Sequence, residues 1–174
     1  MNSTKFRLSF SYKKESKVFA KILGQIIEIC VFRVLDGESQ YLLLQRAADE
    51  DLYPGIWQIV TGTIKQNESA IKAALRELDE ETGLFVKRCW TVPYVDSYFD
   101  LSKDAVQLVP VFAVEVDAKV GLKLSREHQS FTWLKYPDAK EKLVWQGQRH
   151  ALEVVQEFIV SGKNAAQLLE VTKL

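Results

Sequence analysis

Hydrophobic and polar positions alternate or recur along most of this chain, and the two periods place its elements. "QIIEICVFRV" and "YLLLQR" are apolar runs of strand length, and the turn-rich "LDGESQ" between them predicts a hairpin. "YPGIWQIVTG" predicts a Pro-Gly turn, a short strand from Trp57 to Val60 and a loop at Gly62. Ile71, Ala74, Leu75 and Leu78 then recur at helical spacing. Asn67 suits the N-cap, Glu68 the positive end of the helix dipole and Gly83 the C′ position.

After this helix the period returns to two. "FVKRCWTVPYV" and "VQLVPVFAVEV" read as strands, and Pro110, which has no N–H for a ladder, predicts an edge or a bulge. "FTWL" is a further short strand. Ala151, Val154, Val155, Phe158 and Ile159 form a helical stripe ending near Gly162, and "NAAQLLEVTKL" carries a last short helix. At the N-terminus, "KFRLSFSYK" alternates from Phe6 to Tyr12, as an extra strand or as a loosely attached arm within residues 1–17. With no repeat, low-complexity tract or linker, these elements imply an α/β fold in one domain over 1–174, a mixed β-sheet flanked by helices.

Length and charge narrow the function classes. A chain of 174 residues builds a sizeable core without disulfide staples. Lys plus Arg equals Asp plus Glu, at 23 each, so no global field recruits a nucleic acid polymer or an acidic membrane. Cys30 and Cys89 lie in apolar surroundings and read as buried thiols, which fits a reducing, cytoplasmic compartment. "ILGQIIEICVFRV" is broken by Gln25, Glu28 and Arg33, so it is no membrane span.

Against this neutral background, acid is concentrated on one helix. Four of the five residues from Glu77 to Glu81 are carboxylic acids. At ~100° per residue, with Glu77 at zero, Glu81 falls at ~40°, Glu80 at ~300° and Asp79 at ~200°. The apolar stripe spans about 60° to 160° on the same wheel. Glu77, Glu80 and Glu81 therefore form one patch at the border of the buried face. Composition alone makes this a solvated helix face; in a cleft it would attract a hard divalent cation. Arg76 can pair with Glu80 at i, i+4 in either case.

The wider spacing runs Gly62, Glu68, Arg76-Glu77-Leu78, Glu80-Glu81, Gly83-Leu84. At every defined position this resembles the box of the Nudix hydrolases, enzymes that cleave nucleoside diphosphates linked to another moiety with divalent metal. The resemblance implies an α/β/α sandwich and a Mg²⁺- or Mn²⁺-dependent pyrophosphohydrolase acting on a small nucleoside diphosphate derivative. Glu77, Glu80 and Glu81 would be metal ligands with the Gly62 carbonyl, Glu68 a supporting acid, and Arg76 the residue that orients a glutamate. Where the commoner form has Gly-Gly before the box, this chain has Thr61-Gly62. "WQIVTG" and "EHQSFTWL" are similar to the dihydroneopterin triphosphate and dinucleoside polyphosphate branches.

The catalytic base falls to Glu77 or Glu80, or to Glu127 in the loop before "FTWL". Glu127 is otherwise an exposed loop acid. His128 and His150 are poor partners for a hard-metal phosphate site. Arg46, Trp57 and Tyr98 are candidates for substrate contact, each with a plainer reading as surface or core, and Tyr94 and Phe99 stand beside Tyr98. A non-catalytic nucleotide-binding or regulatory module of the same fold is the alternative function, an acidic helix used only as a protein interaction face is a third, and a homodimer is possible.

Overall fold

The computed structural model describes residues 20–119, 121–162 and 165–172. The expected strand or arm near the N-terminus lies outside them. Among the described residues the strands are β1 (Lys21–Leu23), β2 (Ile26–Leu35), β3 (Glu38–Arg46), β4 (Trp57–Gln58), β5 (Val60–Thr63), β6 (Val86–Asp100), β7 (Ala105–Val116) and β8 (His128–Leu134). The helices are α1 (Ala70–Thr82), α2 (Tyr136–Lys142), α3 (Gln146–Val155) and α4 (Ala165–Leu169), with a π-helical turn at Gln156–Val160 continuing α3.

The sheet is mixed. β7 runs parallel to β1 and β2 and antiparallel to β6, while β2 pairs antiparallel with β3 and β5. The β2–β3 turn holds Asp36 and Gly37 at φ 51° and 80°, the double positive φ of a tight type I′ turn. Pro110 stands at a bulge: the β6–β7 register shifts between Thr91 and Val95, opposite it. On its other side β7 changes partner, pairing β1 up to Gln107 and β2 from Val111.

Strand alternation sorts the core into two layers. Ile27, Ile29 and Val31 of β2, with Leu42, Leu44, Phe112 and Val114, pack against Ala73, Ala74 and Leu78 of α1. Cys30, Phe32, Tyr41, Leu43, Trp90, Val111 and Ala113 pack against Leu152, Val155 and Ile159 on the other face. The arrangement is an α/β/α sandwich, and each inward alkyl or aromatic side chain stabilises it by roughly 1.5–3 kcal/mol. Cys30 and Cys89 are free and buried. No helix among the described residues is long and apolar enough to cross a membrane.

Three details differ from the periodicity. The residues from Trp57 form two short strands rather than one, and Gly62 lies in β5, paired with Ile27, rather than in a loop. The N-cap of α1 is Ser69, whose side chain accepts from the Lys72 amide; Asn67 instead takes φ 62° in the turn before it. That turn is closed by Glu68, whose Oε2 accepts from the Lys65 amide at 2.9 Å. α2, between the last strand and α3, carried too little periodicity to be read.

Candidate active site

α1 ends at Gly83, which takes the left-handed φ of 63° and donates its N–H to the Asp79 carbonyl. The buried residues of α1 are Ala73, Ala74, Leu78, Glu81 and Thr82, whereas Ile71 and Leu75 are only half-buried. The buried face is thus rotated toward the acids, to roughly 60° on the wheel. Glu81 lies inside that face, Glu77 is half-buried, Glu80 is exposed and Asp79 is left to solvent.

Gly62 is what lets Glu77 reach the sheet. A Cβ at Gly62 would stand 2.0 Å from Glu77 Cγ and 2.8 Å from its Oε1. With no side chain in the way, Glu77 Oε1 accepts from the Thr63 amide at 3.1 Å. Arg76 binds the remaining acids. Its Nε and Nη2 donate to the two oxygens of Glu68 at 2.8 and 3.0 Å, and Nη2 also reaches the Thr63 carbonyl at 2.9 Å. Nη1 lies 2.8 Å from Glu77 and 2.9 Å from Glu80. The forked guanidinium suits this role, since one planar group serves several carboxylates at once. It holds the Glu68 carboxyl down to about 2, aided by the Lys65 amide.

Glu81 has no such partner. Burial, then the charges of Glu77 and Glu127, push its carboxyl up to about 9, with Arg46 opposing. Its Oε2 is buried without a hydrogen bond. His128 Nε2 lies 3.9 Å away, but burial and Arg46 push that imidazole down to about 4. Both groups are therefore neutral near pH 7, and the contact is not an ion pair. Gln58 Nε2 lies 3.5 Å from the same imidazole nitrogen.

Glu127 is exposed in the loop just before β8, where its carbonyl accepts from the Ala47 amide at 2.8 Å. Its charge acts on Glu81, so loop and helix meet. Arg46 also acts on Glu81, while Nη2 pairs with Glu50 at 2.7 Å and Nε donates to the Leu52 carbonyl at 2.8 Å. Two of the expected contacts stand apart. Trp57 packs against the α3-side core with Lys142 Nζ 4.4 Å from its ring centroid, and Tyr98 lies out along β6.

Whether these residues fit a divalent cation is answered by their chemistry. Among the described residues no three acidic, His or Cys side chains are gathered around one point as they stand. Arg76 supplies the countercharge instead. The donors of the patch are oxygens on successive turns of one helix, with a buried Glu81 oxygen left over, and that set suits Mg²⁺ or Mn²⁺.

Sequence reasoning passed over Thr63, Lys65 and Gln58 as neighbours of the acids, and treated His128 only as an unsuitable ligand. It also missed Glu28, Gln148 and Gly147 on the opposite face. Glu28 left a signal: in "IIEICVF" it occupies the same alternating face as Cys30 and Phe32, so an acid points inward.

Fold and box together define a class, and comparison with known proteins agrees. The family model described as NUDIX domain matches residues 25–155, and the chain belongs to that family as a Nudix hydrolase. It is 33% identical over 134 residues to a Myxococcus xanthus protein named octanoyltransferase, covering 73% of this chain but only 35% of that protein's length. Nucleoside triphosphatase NudI of Escherichia coli K12 is 27% identical over 112 residues, 60% of this chain and 79% of that one. A crystal structure of an Ap4A hydrolase from C. elegans superposes with a TM-score of 0.66 at 22% identity, covering 80% of this chain and 99% of the other, a likeness of fold.

Proposed function

We propose that the chain is a Mg²⁺- or Mn²⁺-dependent pyrophosphohydrolase that cleaves a phosphoric anhydride bond in a nucleotide-like substrate. The substrate class is a nucleoside triphosphate, dihydroneopterin triphosphate or dinucleoside polyphosphate. The observation that carries this reading is the acid patch itself. Glu77, Glu80 and Glu81 lie on one face of α1, with one guanidinium shared among Glu68, Glu77 and Glu80 and a buried Glu81 oxygen left unpartnered. A buried carboxyl pressed by three other acids is costly as an anion unless a cation joins it.

Glu77, Glu80, Glu81 and the Gly62 carbonyl would hold the metal. When bound, such ions neutralise the phosphates and make a water more acidic. The chain's own residues do the rest. Arg76 and the Thr63 amide fix the rotamers of Glu68, Glu77 and Glu80. Glu127, on a loop anchored to Ala47, would take the proton of the attacking water, with Glu77 or Glu80 as the alternative base. Arg46, whose charge acts on Glu81, would contact a phosphate.

The name NudI carries nucleoside triphosphates into this proposal, and the Ap4A hydrolase carries dinucleoside polyphosphates. A non-catalytic binding module is favoured by one observation: Arg76 already pairs with Glu68, Glu77 and Glu80 without metal. The deciding experiment is a panel of nucleoside triphosphates, dinucleoside polyphosphates, nucleotide sugars, ADP-ribose and dihydroneopterin triphosphate with Mg²⁺ or with EDTA. Release of two phosphorylated products with Mg²⁺ alone supports hydrolysis. Tight binding without turnover at any metal concentration selects the module.

A further inference from the structure

The loop that leads into β8 is stitched to the end of the box helix. Lys123 donates its amide to the Thr82 carbonyl at 2.9 Å, and Ser125 donates to the Glu81 carbonyl at 3.0 Å. These are two of the carbonyls that a helix end leaves without partners. The His128 amide then turns back on the Ser125 carbonyl at 3.3 Å. One short loop thus grips the backbone of Glu81 and faces its side chain with His128. On the strand side, His128 pairs with Arg46, where the β3–β8 register shifts between Gln45 and Arg46.

The His128 side chain is 1% exposed and that of Glu81 7%. His128 Nε2 stands 3.9 Å from Glu81 Oε2, and no other basic side chain among the described residues comes as near to that carboxylate. Gln58, across β3 from His128, has its Nε2 at 3.5 Å from the same ring nitrogen. His128 Nδ1 is buried without a hydrogen-bond partner, and so is Glu81 Oε2. Buried ring nitrogens that serve a core alone are partnered within it. Here one nitrogen is bare and the other is turned to an acid.

The bare nitrogen decides where the ring carries its proton. A neutral imidazole has one N–H and one acceptor. On Nδ1 the proton would be a buried donor with nothing to receive it, the rarer kind of orphan. On Nε2 it lies between Gln58 and Glu81. The Gln58 carboxamide fits its space either way round and can turn its oxygen to the ring. An ionised carboxylate competes better still, since charge-assisted hydrogen bonds are roughly twice as strong as neutral ones. At 3.9 Å the contact is too long for a hydrogen bond, but the terminal torsion of a glutamate is soft and a turn of the carboxylate can close it.

We propose that His128 is a positioning residue for Glu81: its Nε2–H takes one carboxylate oxygen and leaves the other to a divalent cation. His128 has this role only if Glu81 holds metal, as the proposed function has it. The box acids are then oriented from two sides, Glu77 and Glu80 by Arg76 and Glu81 by His128. Such a donor matters because the carboxylate is aimed before the ion arrives. Loss of an outer partner of this kind typically weakens metal binding by about 10- to 100-fold.

Mn²⁺ binding to the intact protein, followed by electron paramagnetic resonance without substrate, reads the role apart from catalysis. His128→Leu should weaken binding at least about tenfold. His128→Gln, whose amide nitrogen stands as many bonds from the backbone as the ring Nε2, should recover affinity to within about threefold of the parent. His128→Asn puts its amide where Nδ1 was and should bind as weakly as His128→Leu. Equal affinity in the parent and His128→Leu, a Gln variant no tighter than the Leu variant, or an Asn variant as tight as the Gln variant overturns the proposal. If His128→Leu does not fold, the parent decides by nitrogen-15 NMR in Mg²⁺. The chain has two histidines, so His150→Gln assigns the ring signals of His128. A proton on Nε2 upholds the proposal, and any state without one overturns it. A parent that binds no Mn²⁺ overturns this inference and the metal reading together; a parent that binds it with a Kd indifferent to His128 overturns this inference alone.

Discussion

A methyl group on Gly62 would lie 2.0 Å from Glu77 Cγ, so the glycine of β5 and the glutamate of α1 occupy one another's space. No ordinary van der Waals contact is that short, and Glu77 must leave the Thr63 amide if anything larger than hydrogen stands at 62. Gly62→Ala should therefore abolish most activity, at least about a hundredfold in kcat, comparable to loss of a positioning group. The cost in stability should be smaller. Gly83→Ala should do the reverse. Its Cβ would meet only Lys123 Cβ at 3.7 Å, so the strain comes from φ 63° alone, about 1 kcal/mol, with kcat nearly unchanged. Thermal melts and steady-state kinetics on both variants check the division; parallel losses in the two would contradict it.

Arg76 should behave as a stand-in for metal. Arg76→Gln leaves Glu68, Glu77 and Glu80 facing one another without their shared cation. The metal-free variant should melt lower than the parent, and Mg²⁺ should raise its Tm by more than it raises the parent's, since binding to the native state alone stabilises it. Differential scanning calorimetry with and without saturating Mg²⁺ measures both shifts. Equal shifts would show that Arg76 and metal act on different groups.

Proton and metal should compete for Glu81. Its folded carboxyl stands at about 9 against an ordinary 4.5, so between those values the folded protein keeps a proton that the unfolded chain has lost. Stability from this group is full below about 4.5 and is lost as pH rises through about 9. Glu28, raised to about 7 mainly by burial, adds the same sign at lower pH. His128, lowered to about 4 from 6.5, adds the opposite sign between those two values. Above about pH 7, Glu81 is left alone, and metal-free stability should fall toward pH 9. Mg²⁺ binding should release close to one proton at pH 7.5 and weaken as pH drops. Calorimetry in two buffers of different ionisation enthalpy counts the proton, and Glu81→Gln should abolish both effects.

Glu127→Gln separates base from ligand. Because Glu127 lies on the β8 loop rather than on α1, the Mg²⁺-induced rise in Tm should survive. kcat at saturating Mg²⁺ should fall at least about tenfold, toward the range expected of a positioned base. Unchanged kcat would return the base to Glu77 or Glu80. Loss of the thermal shift would make Glu127 a ligand.

The chain's own pattern determined the strands, the box helix, its Gly83 end, the buried thiols and the family, because each depends on spacing along one element. A period of two or 3.6 and a run of specified residues over 62–84 are local properties. The rotation of α1 was not local. The wheel placed the acids at the border of the stripe, but Ala73 packs inward and Ile71 only partly, since the curved sheet beneath decides which side of a helix is covered. That rotation buries Glu81 and raises its proton affinity. Tertiary structure alone set Gly62 against Glu77, sent Trp57 beneath Lys142, and brought Glu28, Asp96 and Gly147 together from β2, β6 and α3. Glu28 and its hydrogen-bond partner Gln148 lie 120 positions apart, and no period along a chain encodes a contact between elements whose packing angle is fixed by everything between them.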